Sequence, residues 1–339
     1  MIALARMPRK ISDCLRSMPR TFWVFTLIYF FINAWIFLSA APGASLTQGG
    51  DAGSYWSPAL AFLKYGDFVR LDNPTELDLY RTPLYPLMIS MVIFIFGENP
   101  SAVVLMQIFL LYAVGILYRN IVKSWLPSWR DAGMALIILN PNLIGTVHLI
   151  QSETLYLFFI SIGFWSLLRI VQGNFRLHNA LIVGAALAFA CLVKPTSQFL
   201  VITLPIFLPL IAVLSGSGHL WGRLFIQGTS AAAIAIAIMA PWAIKLAAAG
   251  NGYSLSEYEI KYRFLWDQVV MLEANLHGIP YHEAEVQITS PGSFHAKVIA
   301  SQGEDWHRLS DVQKFAVLER YGYEAILSYP PKVIVSVIA

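Results

Sequence analysis

Charge is what this 339-residue chain has least of: Asp, Glu, Lys and Arg together make up 13% of it, and the net charge is +3. A soluble domain carries about 25% charged residues, so the composition excludes an ordinary water-soluble fold. The small net charge offers no basic excess for nucleic acid, and no such partner is expected. Cysteine is nearly absent too, with two in the chain. Cys14 lies in a basic amino-terminal segment and Cys191 in a hydrophobic stretch, so they belong to different sides or depths and suggest no disulfide. Internal repeats and low-complexity tracts are missing as well. Ala231 to Ala240 is a small-residue stretch suited to close helix packing.

Hydrophobic residues are abundant, at 57% of the chain, with a mean hydropathy of +0.60. The class this implies is an all-α, polytopic membrane protein of about seven to eight transmembrane helices. Arg6, Arg9, Lys10, Arg16 and Arg20 precede an apolar run from Phe22 to Ala41. That run matches the roughly 20 residues needed to span and exceeds the 7–15 or so of a signal-peptide core. It reads as an uncleaved anchor with a cytoplasmic amino terminus. Further hydrophobic stretches fall at about 83–97, 101–121, 131–149, 154–171, 179–193, 196–214 and 224–246. Trp23, Trp125, Trp129, Trp221 and Trp242 near their ends read as an interfacial belt.

The stretch 83–97 is short, and Pro83 and Pro86 interrupt its start. If it does not cross, Arg119, Lys123, Arg130, Arg169, Arg176 and Arg223 all join the amino terminus in the cytoplasm. Only Lys64, Arg70, Arg81 and Lys194 then fall in short outer loops. If it crosses, the bias disappears. The non-crossing topology therefore makes 83–97 a juxtamembrane or re-entrant helix within a first outer loop of 42–100. The same topology puts Asp51, Glu153, Arg81 and Lys194 on one extracytoplasmic side. Ionisable groups at membrane depth are costly and mark functional sites.

Asp51 starts a predicted helix from Ala52 to about Tyr65, ended by Gly66, with Ala59, Leu60, Phe62 and Leu63 as a face to lie on the membrane. An N-cap role is its plainest explanation. Tyr55 follows one turn later on the same face. Arg81 precedes Pro83 and Pro86, whose fixed φ stiffens the backbone that presents it. It suits either a headgroup anchor or a lipid phosphate. His148, just before Glu153, reads first as an interfacial histidine and second as an orienting group. Residues 1–246 form the membrane module, 247–329 a small, mainly helical outer region, and 330–339 the start of a further span. In the outer region, Ser254 to Leu276 and Ser310 to Leu327 have helical character, while Ile288 to Gly292 reads as loop. His277, His282, Glu283 and Glu285 lack a zinc-type spacing and are taken as surface residues.

Five segments in this order resemble the GT-C fold glycosyltransferases that use polyprenyl-phosphate sugars, above all the group of protein O-mannosyltransferases and aminoarabinose transferases. They are Gly50-Asp51 with Tyr55, Arg81-Thr82-Pro83-Leu84-Tyr85-Pro86, Ser152-Glu153, Val193-Lys194-Pro195 and Pro241-Trp242-Ala243-Ile244-Lys245. Together they cover most of 20–260. The resemblance implies a lipid-linked sugar donor, a lipid, glycan or protein acceptor, and a site at the outer face of a plasma (inner) membrane. It also implies an inverting displacement with Asp51 as general base. Arg81 and Lys194 would bind the donor phosphate, and Glu153, Tyr55 and His148 would orient donor or acceptor. Asp51 and Glu153 also offer oxygen ligands of the kind that suit Mg²⁺ or Mn²⁺, and a divalent cation stays an open expectation. Two other readings stay open: a transporter or lipid flippase using the same acids for protons or substrate, and a noncatalytic membrane assembly subunit.

Overall fold

A computed structural model describes residues 18–39, 51–78, 80–250, 255, 258–289, 300 and 311–331. Cys14, residues 42–50 of the first loop, and the segments 290–299 and 332–339 lie outside the described residues. The described chain is helical, without an extended strand. Five helical stretches among the described residues are long and apolar enough to cross a bilayer: Arg20–Ser39, Pro100–Trp125, Glu153–Val171, Pro195–Leu214 and Gly218–Ala248. This is a helical membrane protein. It divides into two compact units, residues 1–74 with 83–239, and residues 75–82 with 240–339.

The first unit contains α1 (Arg20–Ser39), α2 (Ala52–Tyr65), α3 (Leu84–Phe96), α4 (Pro100–Trp125), α5 (Arg130–Ile138), α6 (Pro141–Val147), α7 (Glu153–Val171), α8 (Leu177–Val193) and α9 (Gln198–Leu214). Helix α10 (Trp221–Ala248) runs across the division at Met239. The predicted span 131–149 is two helices instead of one. Pro141 biases Asn140 away from the helical region, and Asn140 stands at φ −68°, ψ 120°. Its side chain then accepts from the amides of Asn142 and Leu143, starting α6 afresh. The short stretch 83–97 is a 13-residue helix, about 20 Å long at 1.5 Å per residue, against a hydrocarbon core of about 30 Å.

Helix α1 shows why an apolar sequence docks in one orientation. Its buried residues, Phe22, Thr26, Tyr29 and Asn33, form one stripe, and three of them are polar. Thr26 meets Tyr112 at 3.0 Å, Tyr29 Oη donates to the Ile108 carbonyl at 2.7 Å, and Asn33 lies 3.1 Å from His148. At the start of the helix Thr21 donates to Asp131, which also takes a 2.7 Å bond from the Arg119 guanidinium. That ion pair joins α4 to α5 and is nearly buried, with side chains 7% and 13% exposed. Around these bonds pack Phe22, Tyr29, Val104, Ile108, Leu111, Met134 and Ile138.

Helices α7 and α8 form an antiparallel pair, and α7 packs on α4. Close approach explains the small residues: a Cβ on Gly184 would meet the Ala231 carbonyl oxygen at 2.5 Å, and one on Gly228 the Leu204 carbonyl oxygen at 2.7 Å. Backbone contacts at this range favour helix association in lipid, where apolar burial alone gives none.

The second unit packs α11 (Tyr258–His277), α12 (Tyr281–Thr289) and α13 (Asp311–Ser328) around Val269, Val270, Ala284, Ile288 and Ala325. Helix α12 reaches Thr289, so Ile288 is core rather than loop. Trp242 is also interior, 7% exposed with its indole N–H on the Leu255 carbonyl, whereas Trp23, Trp125, Trp129 and Trp221 are exposed as a belt requires. His277 stands 3.2 Å from Glu273, and His282 3.9 Å from Glu285.

Gly184→Ala is expected to cost about 1–3 kcal/mol through overpacking against backbone. Gly222→Ala, where a Cβ meets nothing within 4 Å, is expected to gain up to about 1 kcal/mol. Thermal unfolding in detergent compares the two, and equal effects would remove the close-packing account.

Candidate active site

Asp51 sits at the N-cap position of α2 with φ −79°, ψ −9°, and its side chain makes no cap hydrogen bond. The plain capping explanation for this carboxylate therefore fails. The helix itself runs as its sequence predicts, from Ala52 to Tyr65, and ends at Gly66 with φ 74°. Its apolar face is shared out differently. Ala52, Tyr55 and Ala59 are buried against Tyr85, Ile89 and Val92 of α3, and Ser90 Oγ donates to the Ala59 carbonyl at 3.0 Å. Leu63 stays exposed.

One turn past Asp51, Tyr55 is 4% exposed, and its hydroxyl lies 3.1 Å from Ser152 Oγ. Ser152 is the N-cap residue of α7, and Glu153 is that helix's first residue. A carboxylate at a helix start is favoured by the unpaired amides and the dipole there. Lys194 caps the far end of α8, and its ammonium donates to Glu153 Oε1 at 2.7 Å. The antiparallel α7–α8 pair thus brings together two residues 41 positions apart in sequence. Ser197 and Tyr156 add a bond at 2.8 Å beside them. Three of the five sequence segments, those of Asp51–Tyr55, Ser152–Glu153 and Lys194, meet at one end of the first unit, and Tyr85 from a fourth joins them.

Tyr85 packs edge-on to Tyr55, with ring centroids 4.8 Å apart, and donates to Gln107 Oε1 at 2.7 Å. Burial foremost, then Tyr55 and the Glu153 carboxylate, push the Tyr85 phenol well above its ordinary value, so it stays neutral. Glu153 and Lys194 keep side-chain exposures of 44% and 33%. The pair is open to solvent or substrate while its support is buried.

The same helices line an apolar groove of about 460 Å³. Phe62 and Leu63 of α2, Met88 and Met91 of α3, and Leu155 and Phe159 of α7 are among its walls. Leu155 is two residues past Glu153, so the polar pair and the groove share the first turn of α7.

His148 is bonded to Asn33 of α1, at the same end of the bundle. Arg81 belongs to the second unit, where its guanidinium lies over the Tyr80 ring at 4.9 Å. Among the described residues no three His, Cys, Asp or Glu gather as a metal-ligand set. Lys194 engages Glu153 Oε1 at 2.7 Å. Gln107 and Ser197 escaped the sequence reading. An amide in the middle of the apolar stretch 101–121, far from its polar end at Arg119-Asn120, was the available signal for the first.

The opposite end of the bundle is basic. Arg119 binds Asp131 there, Arg169 stands in the last turn of α7, and Arg223 lies over Phe175 in the α7–α8 turn. Arg119 is 12 residues beyond Gln107, roughly 18 Å along α4.

Tyr55→Phe is expected to cost about 1 kcal/mol by leaving Ser152 without its buried partner. The half-exposed Glu153–Lys194 pair should couple by no more than about 1 kcal/mol. A double-mutant cycle on unfolding in detergent measures both, and a coupling above roughly 3 kcal/mol, the scale of a broken buried pair, would make the pair a structural clamp instead of an open site. The chain matches no family model, no curated protein and no solved structure.

Proposed function

We propose that this protein is a membrane glycosyltransferase of the polyprenyl-phosphate-sugar-dependent GT-C type, acting at the outer face of a plasma (inner) membrane. The observation that carries the reading is the meeting of Glu153 and Lys194 at 2.7 Å, next to Ser152, whose partner Tyr55 lies one helical turn past Asp51. An apolar groove opens at the same turn of α7. An acid and a cation at the start of α7, with an apolar trough lined by Leu155 and Phe159 of the same helix, suit a substrate with an alcohol to activate, a phosphate to leave and a lipid tail to house.

In the proposed reaction an acceptor hydroxyl oxygen attacks the anomeric carbon of the donor sugar. The bond from that carbon to the phosphate oxygen breaks, and its electron pair leaves with the polyprenyl phosphate. Asp51 takes the hydroxyl proton as general base, which requires hydrogen-bond reach to the acceptor. Lys194 offsets the charge growing on the departing phosphate, and Glu153 holds the ammonium in place. Tyr55 and His148 orient the sugars. Backside attack inverts the anomeric centre. The acceptor is a lipid, glycan or protein hydroxyl.

Seven spans follow if α5–α6 count as one broken crossing and α8 as a short one, and an eighth if the chain crosses again after residue 330. The basic end described above then faces the cytoplasm with the amino terminus, in accord with the positive-inside rule. A transporter would hold its ionisable groups near the bilayer midplane, whereas Glu153 and Lys194 stand at helix ends.

Asp51→Asn is expected to lower transfer by a factor of about 10²–10⁴, the usual weight of a general base, with protein level unchanged. Transfer is read with membranes and labelled lipid-linked sugars, and retained activity would remove Asp51 from this role. Cells lacking the protein should accumulate one lipid-linked sugar, and unchanged pools of all of them would overturn the transferase reading.

A further inference from the structure

Gln107 is the least expected polar group of the first unit. It lies two turns into the spanning helix α4, is 0% exposed, and contacts none of the site residues proposed above as catalytic or binding groups. A primary amide in such a place is costly unless every hydrogen-bonding position is used. Here all are. The Tyr85 hydroxyl donates to its oxygen at 2.7 Å, while its nitrogen donates to the Val147 carbonyl at 3.0 Å and to the Leu149 carbonyl at 2.7 Å.

Both sets of partners lead to the same short segment. Val147 and Leu149 lie in the connection between α6 and α7, which reaches Ser152 and Glu153 within a few residues. Tyr85, also 0% exposed, packs on Tyr55, whose hydroxyl meets Ser152. One amide on α4 therefore fixes the connection directly through two carbonyls and indirectly through a neutral phenol. The segment it holds is irregular: α6 ends at Val147, α7 starts at Glu153, and no helical ladder spans the gap. Without those bonds, nothing regular would set where Glu153 points relative to Lys194.

We propose that Gln107 and Tyr85 are positioning residues that set the course of residues 147–152 and so the orientation of Glu153. The functional arm of this inference rests on the transferase reading; the structural arm does not. Gln107→Met removes all three bonds at similar volume. Tyr85→Phe removes only the bond to Gln107. Gln107→Glu keeps the shape and the acceptor for Tyr85.

Hydrogen exchange of detergent-purified protein, followed peptide by peptide, tests the structural arm. Amide exchange across 149–156 should quicken by about ten-fold or more in Gln107→Met and Tyr85→Phe, less in Gln107→Glu, and stay unchanged across α9, since losing a bond worth about 1–1.5 kcal/mol changes an opening equilibrium by that factor. Unchanged exchange across 149–156 in either folded variant overturns the proposal, and Tyr85→Phe, the milder change, serves if Gln107→Met does not fold. In the transfer assay kcat should fall by about ten-fold or more while KM for the lipid donor moves by less than about three-fold, because misplacement of a reacting group weakens the transition state before it weakens binding. A fall in donor affinity with kcat intact also overturns it. If wild-type protein transfers no sugar at all, the transferase reading fails while the exchange result still decides the role of Gln107.

Discussion

A polar side chain inside a lipid-spanning helix must find its partner on another helix, and the first unit is arranged around that demand. Lipid tails are as apolar as Leu, so burying Leu against Leu gives helices little reason to associate. The stripe Thr26–Tyr29–Asn33 on α1 supplies a reason, since its partners Tyr112, the Ile108 carbonyl and His148 lie on or beside α4 and α6. Each bond of this kind contributes about 0.6 kcal/mol on average, but each accepts only one register. Thr21 and Arg119 on Asp131 close the same interface at its other end. Orientation along the bundle follows from where the few polar groups stand.

The candidate site inherits its place from this arrangement. Because α7 runs alongside α4 and α8 returns against α7, the start of one and the end of the other face each other, and Glu153 reaches Lys194. Helix ends are also where a charged group can remain partly wet while its stem packs in the bundle. The short helices α2 and α3 then fill the space beside α7, adding Tyr55 and Tyr85 on one side and an apolar trough on the other. Polar chemistry and lipid-facing surface meet at one turn of helix because the chain changes there from spanning to non-spanning elements.

Much of this was legible in order along the chain. Hydropathy marked the long spans within a few residues, and the short apolar stretch at 83–97 is a 13-residue helix. The Asp51-led helix and its Gly66 stop followed from local chemistry. The break at Asn140-Pro141 was equally local, yet it was hidden by treating 131–149 as one apolar run. Trp242 looked like its fellow tryptophans because an indole near a helix end reads the same whether it meets headgroups or a neighbouring carbonyl.

By itself the sequence determined that the protein is helical and membrane-embedded, where most helices begin and end, and which few charged residues stand at their ends. Those are properties of short windows: length, apolar run, cap and breaker. Only the tertiary structure decided that Glu153 pairs with Lys194, that Asp51 is not spent on capping, and that Gln107 stands behind the connection to Glu153. Each depends on which faces of distant helices touch, and that is set by matching one buried donor to one buried acceptor. No window along the chain contains both partners.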